Sequence, residues 1–199
     1  MGPSASGKSL LMQSLSGRVQ DLTITGEVTI NGAIANPKAI DNPIAYVPQE
    51  DSLIGELTAR EMTRNTALLK RNESADKLEK DVQNLLEKLG LSSVADGIIG
   101  TLLFRGLSGG QKKRVEISAE LIASPSILFI DEPTSGLDAK IAYDVINLLR
   151  ELVKASKGDL SVVLSIHQPN SRILELFDHW MLIDKGQLLF FGTLEESMT

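Results

Sequence analysis

Ile127-Leu128-Phe129-Ile130-Asp131-Glu132 is the stretch on which the fold turns. Four apolar residues in a row leave no polar face, as in a strand covered on both sides within a parallel sheet. The run ends on two carboxylates. Ligands of open α/β sheets bind beyond the carboxyl ends of the strands, so Asp131 and Glu132 stand where a site belongs. One acid suits the water shell of a metal, the other a water to be polarised. Two acids capping a strand end is the plainer alternative.

Helix and strand patterns alternate on either side. Upstream, Ser108 and Gln111 have the spacing of a capping box, opening a helix that stops before Ser124-Pro125. Downstream, a helix is expected from Asp138 to Lys157, with Ile141, Val145, Leu148, Leu149 and Leu152 on one side. Leu160–Ile166 reads as a second buried strand, and a short helix is expected near Ser171. Trp180–Asp184 and Gln187–Phe191 read as strands around Lys185-Gly186, with Asp184 as turn chemistry. Nearer the start, residues 7–16 predict a helix ended by Gly17. Glu27–Ile30 predicts a strand running into the hairpin turn Asn31-Gly32, and Pro43–Val47 another strand. Thr58 and Glu61 form a second capping box, so a helix begins near Ala59. Leu78, Val82, Leu85, Leu86 and Leu89 recur at helical spacing up to Gly90. The order implies an α/β domain with a largely parallel sheet and a helical insertion over about 50–105.

Further out lies Gly2-Pro3-Ser4-Ala5-Ser6-Gly7-Lys8-Ser9, which fits G-x-x-x-x-G-K-[ST]. Glycines let the backbone wrap a phosphate with its N–H groups inward, and the following helix adds a positive dipole end. Lys8 would reach the β- and γ-phosphates and Ser9 would ligate Mg²⁺. A flexible glycine/serine tail with a stray lysine is the alternative. Leu107-Ser108-Gly109-Gly110-Gln111 is a second glycine-bearing helix start, readable as an anion site or as an ordinary N-cap. Gln49 and His167 each follow a strand's carboxyl end, within reach of a γ-phosphate or its metal. Either could equally be a surface polar residue. His179, beside Trp180, reads as structural.

The bulk numbers narrow the function. The 199 residues suit one domain, and 42% hydrophobic with 23% charged is near the globular average. Acidic residues number 26 against 20 basic, a net charge of −6, which argues against nucleic acid as a main partner. Cysteine is absent, so there is no disulfide and no thiolate metal site. No apolar run approaches the roughly 18–20 residues of a membrane helix.

Taken in order, these pieces resemble the ABC ATPase family over nearly the whole chain. Gly2–Ser9 is similar to its Walker A motif, Gln49 to its Q-loop and LSGGQ (107–111) to its signature sequence. ILFIDE (127–132) looks like Walker B, Ser135–Asp138 the D-loop and His167 the switch histidine. YVPQED (46–51), LTARE (57–61), DEPTSGLD (131–138), SIHQPNSRILELFD (165–178) and FFG (190–192) resemble the G subfamily, whose members export lipids, sterols, pigments, hormones or drugs. Leu107 and Gln111 depart from it, since that subfamily more often has Val or Ile and Glu there.

The resemblance implies a P-loop NTPase fold over 1–199, with a mostly parallel sheet, a small antiparallel part and the helical subdomain. It also implies two or three strands and an adenine-stacking aromatic ahead of the P-loop, so the first strands are expected to be missing, as is a membrane domain. ATP and Mg²⁺ are the implied ligands. Gly2, Pro3, Ser4, Ala5, Ser6, Gly7, Lys8 and Ser9 would wrap the triphosphate, and Ser9, Gln49 and Asp131 would organise the metal. Glu132 would orient or deprotonate water, with Gln49 and His167 completing the catalytic set. Ser108, Gly109, Gly110, Gln111 and Asp138 would close ATP in from a second cassette in a head-to-tail homo- or heterodimer. A transmembrane domain of the same or a partner chain would place the assembly at the cytoplasmic face of a membrane. A soluble ABC-type ATPase and a non-catalytic remnant are the competing readings.

Overall fold

Three parallel strands form the centre of the molecule: β3 (Ile44–Val47), β4 (Ile127–Ile130) and β5 (Ser161–Leu164), hydrogen-bonded in the order β3-β4-β5. The computed structural model describes residues 1–19, 23–34, 44–50, 52–101 and 103–198. Pro43, the expected start of β3, and Asp51 lie outside them. Register pairs Val47 with Ile130 and Ile130 with Leu164, so the three carboxyl ends finish level. Every site argument below depends on that alignment.

Alternation along the strands divides two layers. Ala45, Val47, Leu128 and Ile130 enter the main core with Val115 and Ile117 of α4 (Gly109–Leu121) and with Val145, Ile146 and Leu149 of α5 (Ala139–Ala155). Tyr46 and Phe129 point the other way and pack with Met12 of α1 (Lys8–Leu15). Central β4 is thus covered on both faces, as its unbroken apolar run implies.

β5 corrects the expectation of a second strand buried on both faces. Val162 and Leu164 pack on the main core, but Ser161 is exposed and Val163 is 39% exposed. Two facts explain it. β5 ends the strand order, and α1 covers only the β3–β4 part of that face. A cavity of about 280 Å³ lies beside Val163, lined also by Leu11, Trp180, Met181 and Phe191.

The connection from β3 to β4 holds α2 (Ala59–Lys70) and α3 (Ala75–Lys88). Both capping boxes form as the spacing implies, at Thr58/Glu61 and Ser108/Gln111. Leu78, Val82 and Leu86 of α3 are buried, and their cluster is continuous with the core under the sheet. Two hairpins complete the chain. β1 (Thr29–Ile30) and β2 (Ala33–Ile34) turn at Asn31 and Gly32, whose φ angles of 52° and 78° are those of a type I′ turn. β6 (Trp180–Asp184) and β7 (Gln187–Gly192) turn at Lys185-Gly186, and short α6 (Ser171–Leu174) precedes them, capped by Asn170. His179 stacks on Phe191 with centroids 5.9 Å apart, in keeping with its structural reading.

Candidate functional site

The glycine-rich loop is held from below by β6. The Met1 nitrogen donates to the Met181 carbonyl at 2.6 Å, and the Ile183 amide donates back to the Met1 carbonyl at 2.9 Å. Gly2 has φ +151°, and a Cβ there would stand 2.0 Å from the Ile183 carbonyl oxygen. Only glycine fits so close an approach. Gly7, at φ +99°, is the N-cap of α1 and brings no side chain to its first-turn amides. Those N–H groups and the dipole of α1 leave a place for an anion. Among the described residues, no hydrogen bond engages the hydroxyls of buried Ser6 or half-buried Ser9.

Lys8 closes the loop on itself. Its buried ammonium donates to the carbonyls of Gly2 and Pro3, each at 2.9 Å, and lies 3.9 Å from Glu132 Oε1. Pro3, Ser4 and Ala5 are exposed at the rim, and Ser4 Oγ meets His167 Nε2 at 3.0 Å. The loop and the β5 end therefore touch through the residues expected to share a phosphate.

The strand ends supply the acidic side. Gln49 Nε2 donates to Glu132 Oε2 at 3.0 Å. Glu132 has φ +46°, a left-handed conformation uncommon for a side chain of this size and typical of strained functional positions. Asp131, 4% exposed, accepts from Tyr46 Oη at 3.2 Å and from Ser165 Oγ. Ser165 Oγ in turn accepts from the Glu132 amide at 2.9 Å. Burial first, and the neighbouring Asp131 charge second, push the Tyr46 phenol up to about 12. Tyr46 thus remains a donor to Asp131. Neither it nor Ser165 was singled out by sequence reasoning. The usable signal was position: each sits at or just beyond a strand's carboxyl end.

Lys8, Gln49, Asp131, Glu132 and His167 are all brought around the P-loop. Ser108, Gly109, Gly110, Gln111 and Asp138 make no hydrogen bond or ion pair with this group among the described residues. Ser108 and Gln111 cap each other, with the Ser108 amide 2.8 Å from Gln111 Oε1. Asp138 Oδ1 accepts the amides of Lys140 and Ile141 at 3.0 Å as the N-cap of α5. Gly110 packs on α5 so closely that a Cβ would lie 2.4 Å from Ile141 Cγ2.

A phosphate-wrapping loop on a helix start, facing two carboxylates at the end of a central parallel strand, defines a nucleoside-triphosphate cassette of the P-loop α/β class. The family model described as "ABC transporter" matches residues 1–135, and the chain belongs to that family. It is 46% identical to ABC transporter G family member 24 of Dictyostelium discoideum, over all of this chain and 17% of the relative. It is 40% identical to the broad substrate specificity ATP-binding cassette transporter ABCG2 of Bos taurus, and 39% to ATP-binding cassette sub-family G member 5 of Rattus norvegicus. Each of those alignments covers 100% of this chain and 30% of the relative. The chain thus spans less than a third of these curated relatives. A solved ATP-binding cassette of an ABC transporter, in its ADP conformation, superposes with a TM-score of 0.78 at 25% identity, covering 98% of this chain and 79% of that one.

Proposed function

We propose that this chain is the nucleotide-binding cassette of a G-type ABC exporter, hydrolysing Mg·ATP to drive a hydrophobic compound such as a lipid or sterol across a membrane. The observation that carries the reading is the convergence of Lys8, Glu132 and Gln49, linked in one chain of contacts 3.9 and 3.0 Å long. Phosphoryl transfer asks mainly for positioning and charge stabilisation.

Lys8 leaves the carbonyls of Gly2 and Pro3 for the β- and γ-phosphates, while the first-turn amides of α1 take phosphate oxygens. Glu132 orients a water in line with the γ-phosphorus and accepts its proton. The new O–P bond forms as the β–γ bridge breaks, giving ADP and phosphate. His167, already against the loop at Ser4, contacts the γ-phosphate. The oxygen donors of Ser9, Gln49 and Asp131 suit Mg²⁺, which when bound would neutralise phosphate charge. Asp131 fits a water-mediated role, because its two oxygens already accept from Tyr46 and Ser165.

Ser108, Gly109, Gly110, Gln111 and Asp138 serve the site of a second cassette in a head-to-tail dimer. That no hydrogen bond or ion pair among the described residues joins them to 2–9 supports this. Docking to a transmembrane domain is supported by an apolar group on the segments 53–57, 97–101 and 103–104, which backbone bonds such as Gly100 to Gly55 tie together. Ile54, Ile98, Leu103 and Phe104 are 53%, 50%, 94% and 40% exposed there. No helix of the described residues is long and apolar enough to cross a membrane, so the translocation path would lie outside them.

The test uses the full-length transporter. Wild type is expected to hydrolyse ATP only with Mg²⁺. Glu132→Gln is expected to keep ATP binding and lose on the order of 10²–10⁴-fold in turnover. Near-normal turnover in that variant would remove Glu132 from its role, and no Mg²⁺-dependent nucleotide uptake by wild type would end the ATPase reading.

A further inference from the structure

We propose that Glu116 is a positioning residue that carries the state of the Gln49 segment to the Ser108–Gln111 end of α4. The inference rests on the ATPase reading above and adds a route by which one part of the site reports to another.

Glu116 lies in the middle of α4 and is 4% exposed. A carboxylate so buried must be paired and hydrogen-bonded. Lys113 Nζ, one turn earlier on the same helix, stands 2.5 Å from Oε2. The backbone amide of Ser52 donates to Oε1 at 3.2 Å. These partners do different work. Lys113 balances charge within α4, whereas Ser52 belongs to another part of the chain, three residues beyond Gln49.

The remaining polar ties of α4 run to the helical connection. Ser118 Oγ meets Thr63 Oγ1 of α2 at 2.6 Å, Lys112 donates to the Gly100 carbonyl at 2.8 Å, and Arg114 to the Leu89 carbonyl at 3.2 Å. These bonds make one block of α4, α2 and the end of α3. Glu116 joins that block to the segment on which Gln49 sits. The contacts then run from Glu132 through Gln49 and Ser52 to Glu116 and so to α4, with Ser108 capping its first turn. A γ-phosphate that draws Gln49 off Glu132 shifts Ser52, and the bond to Glu116 passes the displacement on.

Stability alone does not call for this arrangement, because buried ion pairs replaced by apolar residues of similar volume are often neutral or more stable. That separates the positioning role from a structural one. In the full-length protein, Glu116→Met made together with Lys113→Met is expected to keep the wild-type melting temperature and the wild-type affinity for a fluorescent ATP analogue. Its kcat for ATP is expected to fall about tenfold, the scale of a coupling network. Glu116→Gln, which retains the acceptor for Ser52, is expected to stay within about twofold of wild type. Combining the double Met change with Gln49→Ala is expected to be no slower than the slower parent, since both cut one route.

Three results would overturn the proposal: wild-type kcat in the double Met variant, an equal loss in Glu116→Gln, or losses that multiply when Gln49→Ala is added. A wild-type protein that hydrolyses no ATP would instead remove the ATPase reading, and this inference with it.

Discussion

Ser165 makes two bonds with one hydroxyl, donating to Asp131 and accepting from the Glu132 amide. It thereby fixes both acids from the neighbouring strand and helps hold Glu132 at its positive φ. Ser165→Ala leaves a buried carboxylate and an amide short of partners. It is expected to cost about 1–3 kcal/mol in denaturant melts and to lower turnover more than ATP affinity, because Glu132, the acid proposed to orient water, loses its register. Tyr46 supports Asp131 from the other side. Its folded-state pKa, raised to about 12 by burial and by Asp131, exceeds the ordinary tyrosine value near 10. The folded protein therefore holds this proton more tightly than the unfolded chain. The stabilisation is complete below pH 10 and lost as pH rises toward 12. Unfolding free energy measured across that window is expected to decline by a component that Tyr46→Phe lacks. At this scale Lys8, Asp131 and Glu132 were legible because their chemistry is carried by local motifs. Ser165 and Tyr46 were not, because their role depends on which strand lies beside which.

Elements defined by short-range chemistry could be read directly. Thr58/Glu61 and Ser108/Gln111 start helices where their spacing says, and β4 shows both faces covered where its sequence offers no polar side. β5 escaped such a reading. Its run Val162-Val163-Leu164 is apolar like β4, but burial of the second face is decided by α1, which packs on β3 and β4 and leaves Val163 exposed. The glycines of α4 escaped it too. Sequence alone offers Gly109 and Gly110 as anion-binding backbone, while packing gives Gly110 an independent reason to lack a side chain. Gly110→Ala would press a methyl into Ile141 at the start of α5. The variant is expected to lose about 1–3 kcal/mol, as overpacked sites do. Ile141→Ala in the same chain is expected to recover part of the melting temperature. A wild-type melting temperature in Gly110→Ala would mean that the packing of α4 on α5 tolerates the methyl.

For the whole molecule the decisive fact is how the motifs are divided between elements. Lys8 and Ser108 sit on different parts of the fold, and no bond among the described residues joins the loop of one to the helix start of the other. If one chain made its own complete site, each would be needed by the same chain. If two chains meet head to tail, a site takes Lys8 from one and Ser108 from the other, and twofold symmetry repeats the arrangement. Mixing distinguishes the two. Full-length Lys8→Ala and Ser108→Ala proteins are each expected to be nearly inactive, since every site in either homodimer carries a defect. In a heterodimer of the two, one site collects both defects and the other has none. With random pairing and independent sites, an equimolar mixture is expected to regain about a quarter of wild-type ATPase activity, because half the dimers are mixed and half their sites are whole. A mixture as inactive as its parents, with mixed dimers confirmed by differential tagging, would place Lys8 and Ser108 in the same site of the same chain.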